Sequence, residues 1–140
     1  MRKTPEEEAY RWLEQAAADL HSAKVLLENN IYVTTCFISQ QAAEKALKAY
    51  LYGQGEELVT GHSVALLCSW AAEYDHDFTG LHEEISILDG YYVPTRYPNG
   101  LPDDIPARVY TRKPAEESVK LAEKAIEFVK NKLKGSIGQL

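Results

Sequence analysis

The sequence predicts an all-α protein, an antiparallel up-and-down helical bundle of four main helices plus a short extra helix. Apolar residues recur at helical spacing in five segments, which short turns separate. The second segment, residues 31–52, is apolar on two sides, a pattern typical of a helix that packs between neighbours. With 140 residues, the chain is expected to form one domain over residues 1–140, with its core at about 8–133.

The first two predicted helices have clear end signals. Thr4, Pro5 and Glu7 form the pattern of a capped helix start, and the apolar spacing continues to about residue 29. The second helix is expected to end at Gly53-Gln-Gly55, since glycine commonly ends helices. We expect it to keep one narrow polar edge, formed by Thr34, Gln41, Lys45, Lys48 and Tyr52.

Three further predicted helices complete the bundle. A third helix follows His62-Ser63, a turn covers residues 75–80, and a short fourth helix carries Leu81, Ile85 and Leu88. The last helix is expected from about Pro114 to Gly135. A proline-rich strap, residues 91–113, connects the fourth helix to the last one. We expect it to be a long loop because its prolines prevent an ordinary helix.

The composition excludes some classes of function. A formal net charge of −6 argues against a broad basic surface for duplex nucleic acid, although a local basic patch is compatible with it. Cys36 and Cys68 lack a C-x-x-C neighbour, so we expect buried free thiols and a cytoplasmic protein. The N-terminus lacks a signal peptide's apolar core, and no membrane association is expected.

Two polar residues interrupt an apolar face of the second helix. Gln40 and Glu44 are one helical turn apart, and each needs partners if it is buried. One interpretation is a polar network in the core or at an interface. The other is a polar pocket between helices, and the sequence leaves both open.

The strap contains the candidate binding residues. Arg96 offers a planar fork for phosphate oxygens, and Tyr92 and Tyr97 offer ring faces for a base. We expect Lys45 and His62 to lie nearby and to complete a pocket for a nucleotide or an RNA phosphate. The alternative is a structural strap that ties two helices together. No catalytic residue or cofactor is predicted, since no nucleotide-binding or nucleophile motif is present. No metal ligand is predicted either, because the chain has a single Glu-x-x-His pair, Glu73 and His76, where a di-metal site in a bundle core needs two.

Three blocks of the sequence together resemble the HEPN domain family. They are Phe37…Gln40-Gln-Ala-Ala-Glu-Lys-Ala-Leu-Lys48, Gly61-His-Ser63 before a Leu-rich helix, and Tyr92…Thr95-Arg-Tyr-Pro98 before a final amphipathic helix. The resemblance implies a helical bundle that is usually a dimer. It also implies either a partner of a minimal nucleotidyltransferase in a toxin–antitoxin-like pair, with nucleotide binding, or a metal-independent ribonuclease.

The ribonuclease members use an Arg followed four to six residues later by a His. Here Arg96 is followed by Tyr-Pro-Asn-Gly-Leu-Pro-Asp, and no His occurs after His82. We therefore expect a nucleotide- or RNA-binding HEPN module that acts with a nucleotidyltransferase. The alternatives are a divergent HEPN ribonuclease, in which His62 or Tyr97 would serve as acid or base, and a structural dimerisation partner without ligand. A homodimer is expected in addition because the second helix has more apolar surface than its neighbours readily cover.

Overall fold

The computed structural model describes residues 3–91 and 104–137, the last two by their backbone only. In these ranges the protein is helical and contains no strand, so the predicted all-α bundle is confirmed. The helices are α1 (Pro5–Glu28), α2 (Tyr32–Gly53), α3 (Val64–Ala72), α4 (Phe78–Ile85), α5 (Pro106–Val109) and α6 (Arg112–Ile137), with a 3₁₀ helix (Ser86–Tyr91) after α4. None of the described helices is long and apolar enough to cross a membrane.

The ends of α1 and α2 follow from local sequence signals. Thr4 and Glu7 form the predicted capping box at the start of α1. Beyond α2, Gly55 has φ 101°, and the amide of Glu56 donates to the carbonyl of Leu51 at 3.3 Å. This is a Schellman closure, which needs a left-handed residue just after the helix, and glycine adopts that conformation without strain.

Close packing at the two ends of the bundle fixes the directions of the long helices. A Cβ atom placed on Gly53 would lie 2.9 Å from Leu133 Cδ2 and 3.3 Å from Ala9 Cβ, so a larger residue would require these side chains to move. At the opposite end, the Arg112 guanidinium donates to Asn30. Helix α1 therefore runs antiparallel to both α2 and α6, and these two run in the same direction.

The loop of residues 54–63 returns along α2 before α3 begins. His62 consequently lies beside the middle of α2, where its carbonyl accepts a hydrogen bond from Gln40, and α3 then runs toward the Gly53 end. The turn predicted for residues 75–80 is shorter than expected, because α4 already begins at Phe78. The Phe78 side chain is fully buried, with its ring centroid 4.4 Å from that of Tyr50, so tertiary packing extends α4 at its start.

Three other boundaries differ from the predictions. Leu88 lies in the 3₁₀ helix, whereas we predicted it in the fourth helix. Helix α6 begins at Arg112 and continues past Gly135, because glycine weakens a helix but does not end it without a left-handed turn. The strap contains the four-residue helix α5, which starts at Pro106, where proline suits the first helical position.

The predicted polar edge of α2 is wrong at Lys48 and Tyr52, which are both buried. Trp12 of α1 covers them: its ring stacks on that of Tyr52 at 5.4 Å, and the Lys48 ammonium lies 5.7 Å from the Trp12 ring centroid. The apolar faces of α2 are also covered within the chain, with Leu47 and Leu51 fully buried. Helix α2 therefore exposes little of the excess apolar surface that we expected on it, and Thr34 is its one exposed residue.

Candidate functional site

A row of polar side chains on α2 forms a connected network against the return loop. Gln40 is fully buried, and its Nε2 donates to the His62 carbonyl at 2.8 Å. The Gln40 Oε1 accepts from Gln41 Nε2 at 2.8 Å, so both ends of the Gln40 amide have partners. We call Gln40, Gln41, Glu44, Lys48 and His62 together the α2 seam.

The centre of the α2 seam is a buried ion pair. Lys48 Nζ lies 3.1 Å from Glu44 Oε2, and the two side chains are only 8% and 5% exposed. Burying two opposite charges costs about as much desolvation free energy as their attraction returns, so such a pair is poorly explained by stability alone. Ionic groups in this setting are candidates for a functional site.

The His62 ring covers this ion pair from the solvent side. Its Nδ1 lies 3.4 Å from each carboxylate oxygen of Glu44, and the His62 side chain is 60% exposed. The Glu44 carboxylate thus faces a lysine inside the protein and an imidazole at the surface. An imidazole in this position is able to bind an anion when protonated or to exchange a proton with a bound molecule.

The return loop holds His62 in place through the start of α3. The Asp89 carboxylate of the 3₁₀ helix accepts hydrogen bonds from the backbone amides of Val64 at 2.6 Å and Ala65 at 3.0 Å. The Ser63 hydroxyl donates to the same carboxylate at 2.8 Å and caps the amide of Leu66. A carboxylate at a helix N-terminus is favourable, so Asp89 fixes the backbone next to His62. Sequence reasoning missed Asp89 because no local pattern connects it with α3.

The two ends of the strap meet beside the α2 seam. The rings of Tyr91 and Tyr110 are in edge-to-face contact at 5.9 Å, and burial raises the pKa of both phenols. Both pKa values are also raised by the nearby Cys36, which lies one helical turn before Gln40 on α2. Tyr92, Arg96 and Tyr97 lie outside the described residues.

Lys45 lies apart from this group. Nine residues separate it from Cys36, which places the two about 180° apart around α2. Its Nζ is 2.5 Å from Asp19 Oδ2 of α1. Lys45 also lines a surface hollow of about 590 Å³ together with Arg11 and Trp12. Among the predicted site residues, the structure therefore brings Gln40, Glu44 and His62 together and places Lys45 toward α1.

Within residues 3–91 and 104–137, no three His, Cys, Asp or Glu side chains are grouped closely enough to hold a metal ion. The chemistry of the α2 seam is instead that of a buried carboxylate, a buried ammonium and a surface imidazole.

Comparison with known proteins gives a consistent result over nearly the whole chain. The sequence model of the HEPN domain matches residues 9–132. A protein of Methanocaldococcus jannaschii named "Putative toxin MJ1304" is 32% identical, and the match covers 91% of this chain and 89% of that protein.

Two solved structures are also similar. TT1696 from Thermus thermophilus is 39% identical with a TM-score of 0.78, and the match covers 89% of this chain and 98% of that one. ST0689, described as an archaeal HEPN homologue, is 32% identical with a TM-score of 0.73, covering 95% of this chain and all (100%) of the other.

Proposed function

Because the chain belongs to the HEPN domain family, we propose that it is a binding module that holds a nucleotide or an RNA phosphate against the α2 seam. The observation that carries this proposal is the buried Glu44–Lys48 ion pair beneath the exposed ring of His62. Such a pair adds little to stability, but it keeps an imidazole oriented at a surface where an anion can approach.

The strap supplies the remaining groups in this proposal. Its two ends lie on the Cys36 side of α2, the side that also faces His62. Arg96, Tyr92 and Tyr97 belong to this strap in the sequence and lie outside the described residues. Arg96 would bind phosphate oxygens, and Tyr97 or Tyr92 would stack on a base. Lys45 contributes less than these groups, because it lies toward α1 and pairs with Asp19.

The biological role that we propose is that of a toxin-like component that acts in the cytoplasm as a homodimer with a minimal nucleotidyltransferase. The support is the family and the similarity to a protein named as a toxin. Co-expression of the tagged protein with a nucleotidyltransferase encoded beside it tests the pairing. The proposal predicts that the two proteins co-purify and that the partner relieves any growth arrest caused by the HEPN protein alone.

Calorimetric titration tests the binding function directly. ATP, GTP and a short 5′-phosphorylated RNA are titrated into the wild type and into His62→Ala, Arg96→Ala and Lys45→Ala. Loss of one charge-assisted contact is expected to weaken binding by about ten- to a hundredfold for Arg96→Ala and His62→Ala. Lys45→Ala should lose less, since it acts only at longer range and salt screens such effects.

Lys24→Ala is the matched control, because it removes a cation of α1 that pairs with Glu123 away from the α2 seam. Equal binding by Arg96→Ala, His62→Ala and Lys24→Ala would place the ligand elsewhere. Absence of binding by the wild type to all three probes would favour the third interpretation, a structural dimerisation partner without ligand.

A second candidate function rests on the contact between His62 and Glu44. A carboxylate that faces an imidazole orients the ring and supports general acid–base catalysis, which a divergent ribonuclease would need. Cleavage of a fluorescent RNA in the presence of EDTA tests this function. Activity that His62→Ala and Glu44→Gln both abolish would support the enzyme, whereas binding without cleavage supports the binding module.

A further inference from the structure

The Trp12 indole is an aromatic group at the surface whose position is fixed by buried residues of α2. Its ring stacks on that of Tyr52 at 5.4 Å, and the Lys48 ammonium lies 5.7 Å from the ring centroid. These contacts leave Trp12 only half-buried. An aromatic ring that the fold already holds in place binds a ligand at a low cost in conformational entropy.

Trp12 also lines a hollow of about 590 Å³ between α1 and α2. This volume is within the range of pockets that hold small organic molecules. We call it the Trp12 hollow, and its lining residues are Arg11, Trp12, Glu14, Gln15, Ala18 and Lys45. Besides the indole, the lining contains a guanidinium group, which also stacks on planar rings.

The two cations of the Trp12 hollow are already paired. Arg11 forms an ion pair with Glu8, and Lys45 Nζ lies 2.5 Å from Asp19 Oδ2. A phosphate that bound here would have to compete with these carboxylates for both cations. The hollow therefore suits an uncharged planar ring better than it suits a phosphate.

The hollow also presents hydrogen-bond acceptors. Glu14 contributes a carboxylate to the lining. The Gln15 amide nitrogen donates to Asp19 at 3.0 Å, so the carbonyl oxygen of the same amide is left as an acceptor. Acceptors of this kind bind amino groups such as those carried by adenine, cytosine and guanine.

We propose that the Trp12 hollow binds one amino-bearing base of a single-stranded RNA, stacked on the Trp12 indole. Stacking on an aromatic side chain is a common way in which proteins bind unpaired bases, because every base has a ring face. The acceptors of the hollow favour adenine, cytosine or guanine over uracil, whose ring carries no amino group.

The Trp12 hollow lies next to the α2 seam, where the proposed function places a phosphate. Gln41 of the seam is one helical turn before Lys45 of the hollow. Lys48 joins the two beneath the surface, since its ammonium contacts both the seam carboxylate and the Trp12 ring. A short strand can therefore have a phosphate at His62 and a base in the hollow. The inference deepens the proposed function and rests on it for RNA as the ligand.

Tryptophan fluorescence measures stacking in the Trp12 hollow, because a base that stacks on an indole quenches its emission. The chain has two tryptophans, so Trp70→Phe leaves Trp12 as the reporter. Triadenylate with a 5′-phosphate should quench this emission to saturation. Triuridylate with the same phosphate should bind about two- to tenfold more weakly, since it lacks the amino group that the acceptors bind.

Ala18→Leu tests the position of the base, because it fills the hollow with a larger side chain and leaves the contacts of Trp12 with α2 in place. It should weaken binding of triadenylate about five- to a hundredfold, the usual effect of one lost stacking contact. Ala17→Leu is the matched control and should leave binding unchanged. Ala17 is also exposed, but it lines a groove between α1 and α6.

The same titrations distinguish this inference from the proposed function. Binding that His62→Ala weakens, but that neither quenches Trp12 nor responds to Ala18→Leu, would overturn the base site and leave the phosphate site at the α2 seam intact. Weaker binding in Ala18→Leu with none in His62→Ala would support the base site and refute the phosphate site. Equal losses in Ala17→Leu and Ala18→Leu, or no quenching by triadenylate, would overturn the inference.

Discussion

Removing the Glu44 carboxylate is expected to destabilise the protein strongly. In Glu44→Ala, the Lys48 ammonium loses a partner at 3.1 Å and stays in a position where its side chain is 8% exposed. Breaking a buried ion pair in this way typically costs about 3–5 kcal/mol. The Trp12 ring, whose centroid is 5.7 Å from Lys48 Nζ, offsets part of this, since cation–π contacts contribute about 0.5–2 kcal/mol. We therefore expect a loss of about 3 kcal/mol.

Urea unfolding followed by far-UV circular dichroism measures this loss as a shift of the midpoint at constant slope. Glu44→Gln keeps an oxygen acceptor beside Lys48 and should lose only about 1–2 kcal/mol. The double variant Glu44→Leu/Lys48→Met removes both charges and should return to within about 1 kcal/mol of the wild type. Losses below about 0.5 kcal/mol in both Glu44→Ala and Lys48→Met would show that water reaches the pair, and the reasoning about the α2 seam would be wrong.

Three further outcomes follow from the contacts outside the ion pair. Asp89→Ala removes the acceptor of two α3 amides and should cost about 1–2 kcal/mol in urea unfolding, with Asp89→Asn closer to wild type. A hydrogen bond from Lys132 lowers the pKa of the Asp75 carboxyl, so its stabilisation is present above the usual pKa of 3.8 and is lost as the pH falls below it. The difference in unfolding free energy between wild type and Lys132→Met should accordingly shrink between pH 6 and pH 3. An unchanged difference would show that the Asp75 carboxyl does not supply this stabilisation. Burial raises the pKa of the Cys68 thiol to about 12 and also raises that of Cys36, so both should react with a thiol reagent only after unfolding; rapid labelling of the native protein would refute their burial.

Local signals explain how much of the fold could be predicted. The capping box at Thr4 and the buried stripe of α6 depend on residues within a few positions of one another, and both are present as the sequence indicates. Gln40 and Glu44 are buried and hydrogen-bonded because an apolar stripe continues on either side of them. Periodicity on one helix was sufficient to predict these features.

The errors lie where a distant segment decides the outcome. Lys48 has the spacing of an exposed residue on α2, but Trp12 of another helix covers it. Phe78 follows turn-forming residues, yet it is the first residue of α4, because its ring packs against that of Tyr50 in the core. Asp89 caps α3 from 25 residues away, and no pattern in either segment indicates that contact. Such tertiary contacts override local propensity and are not encoded in the neighbouring residues.

The side-chain NMR signals of the histidines test the central claim most directly. The chain has four histidines, and His62→Gln assigns the signal of the one at the α2 seam. During titration with ATP or a 5′-phosphorylated RNA, the account predicts that the His62 ring resonances shift to saturation, whereas those of His21, His76 and His82 remain in place. Saturable binding that shifts another histidine, or that leaves all four unchanged, would contradict a ligand site at the α2 seam.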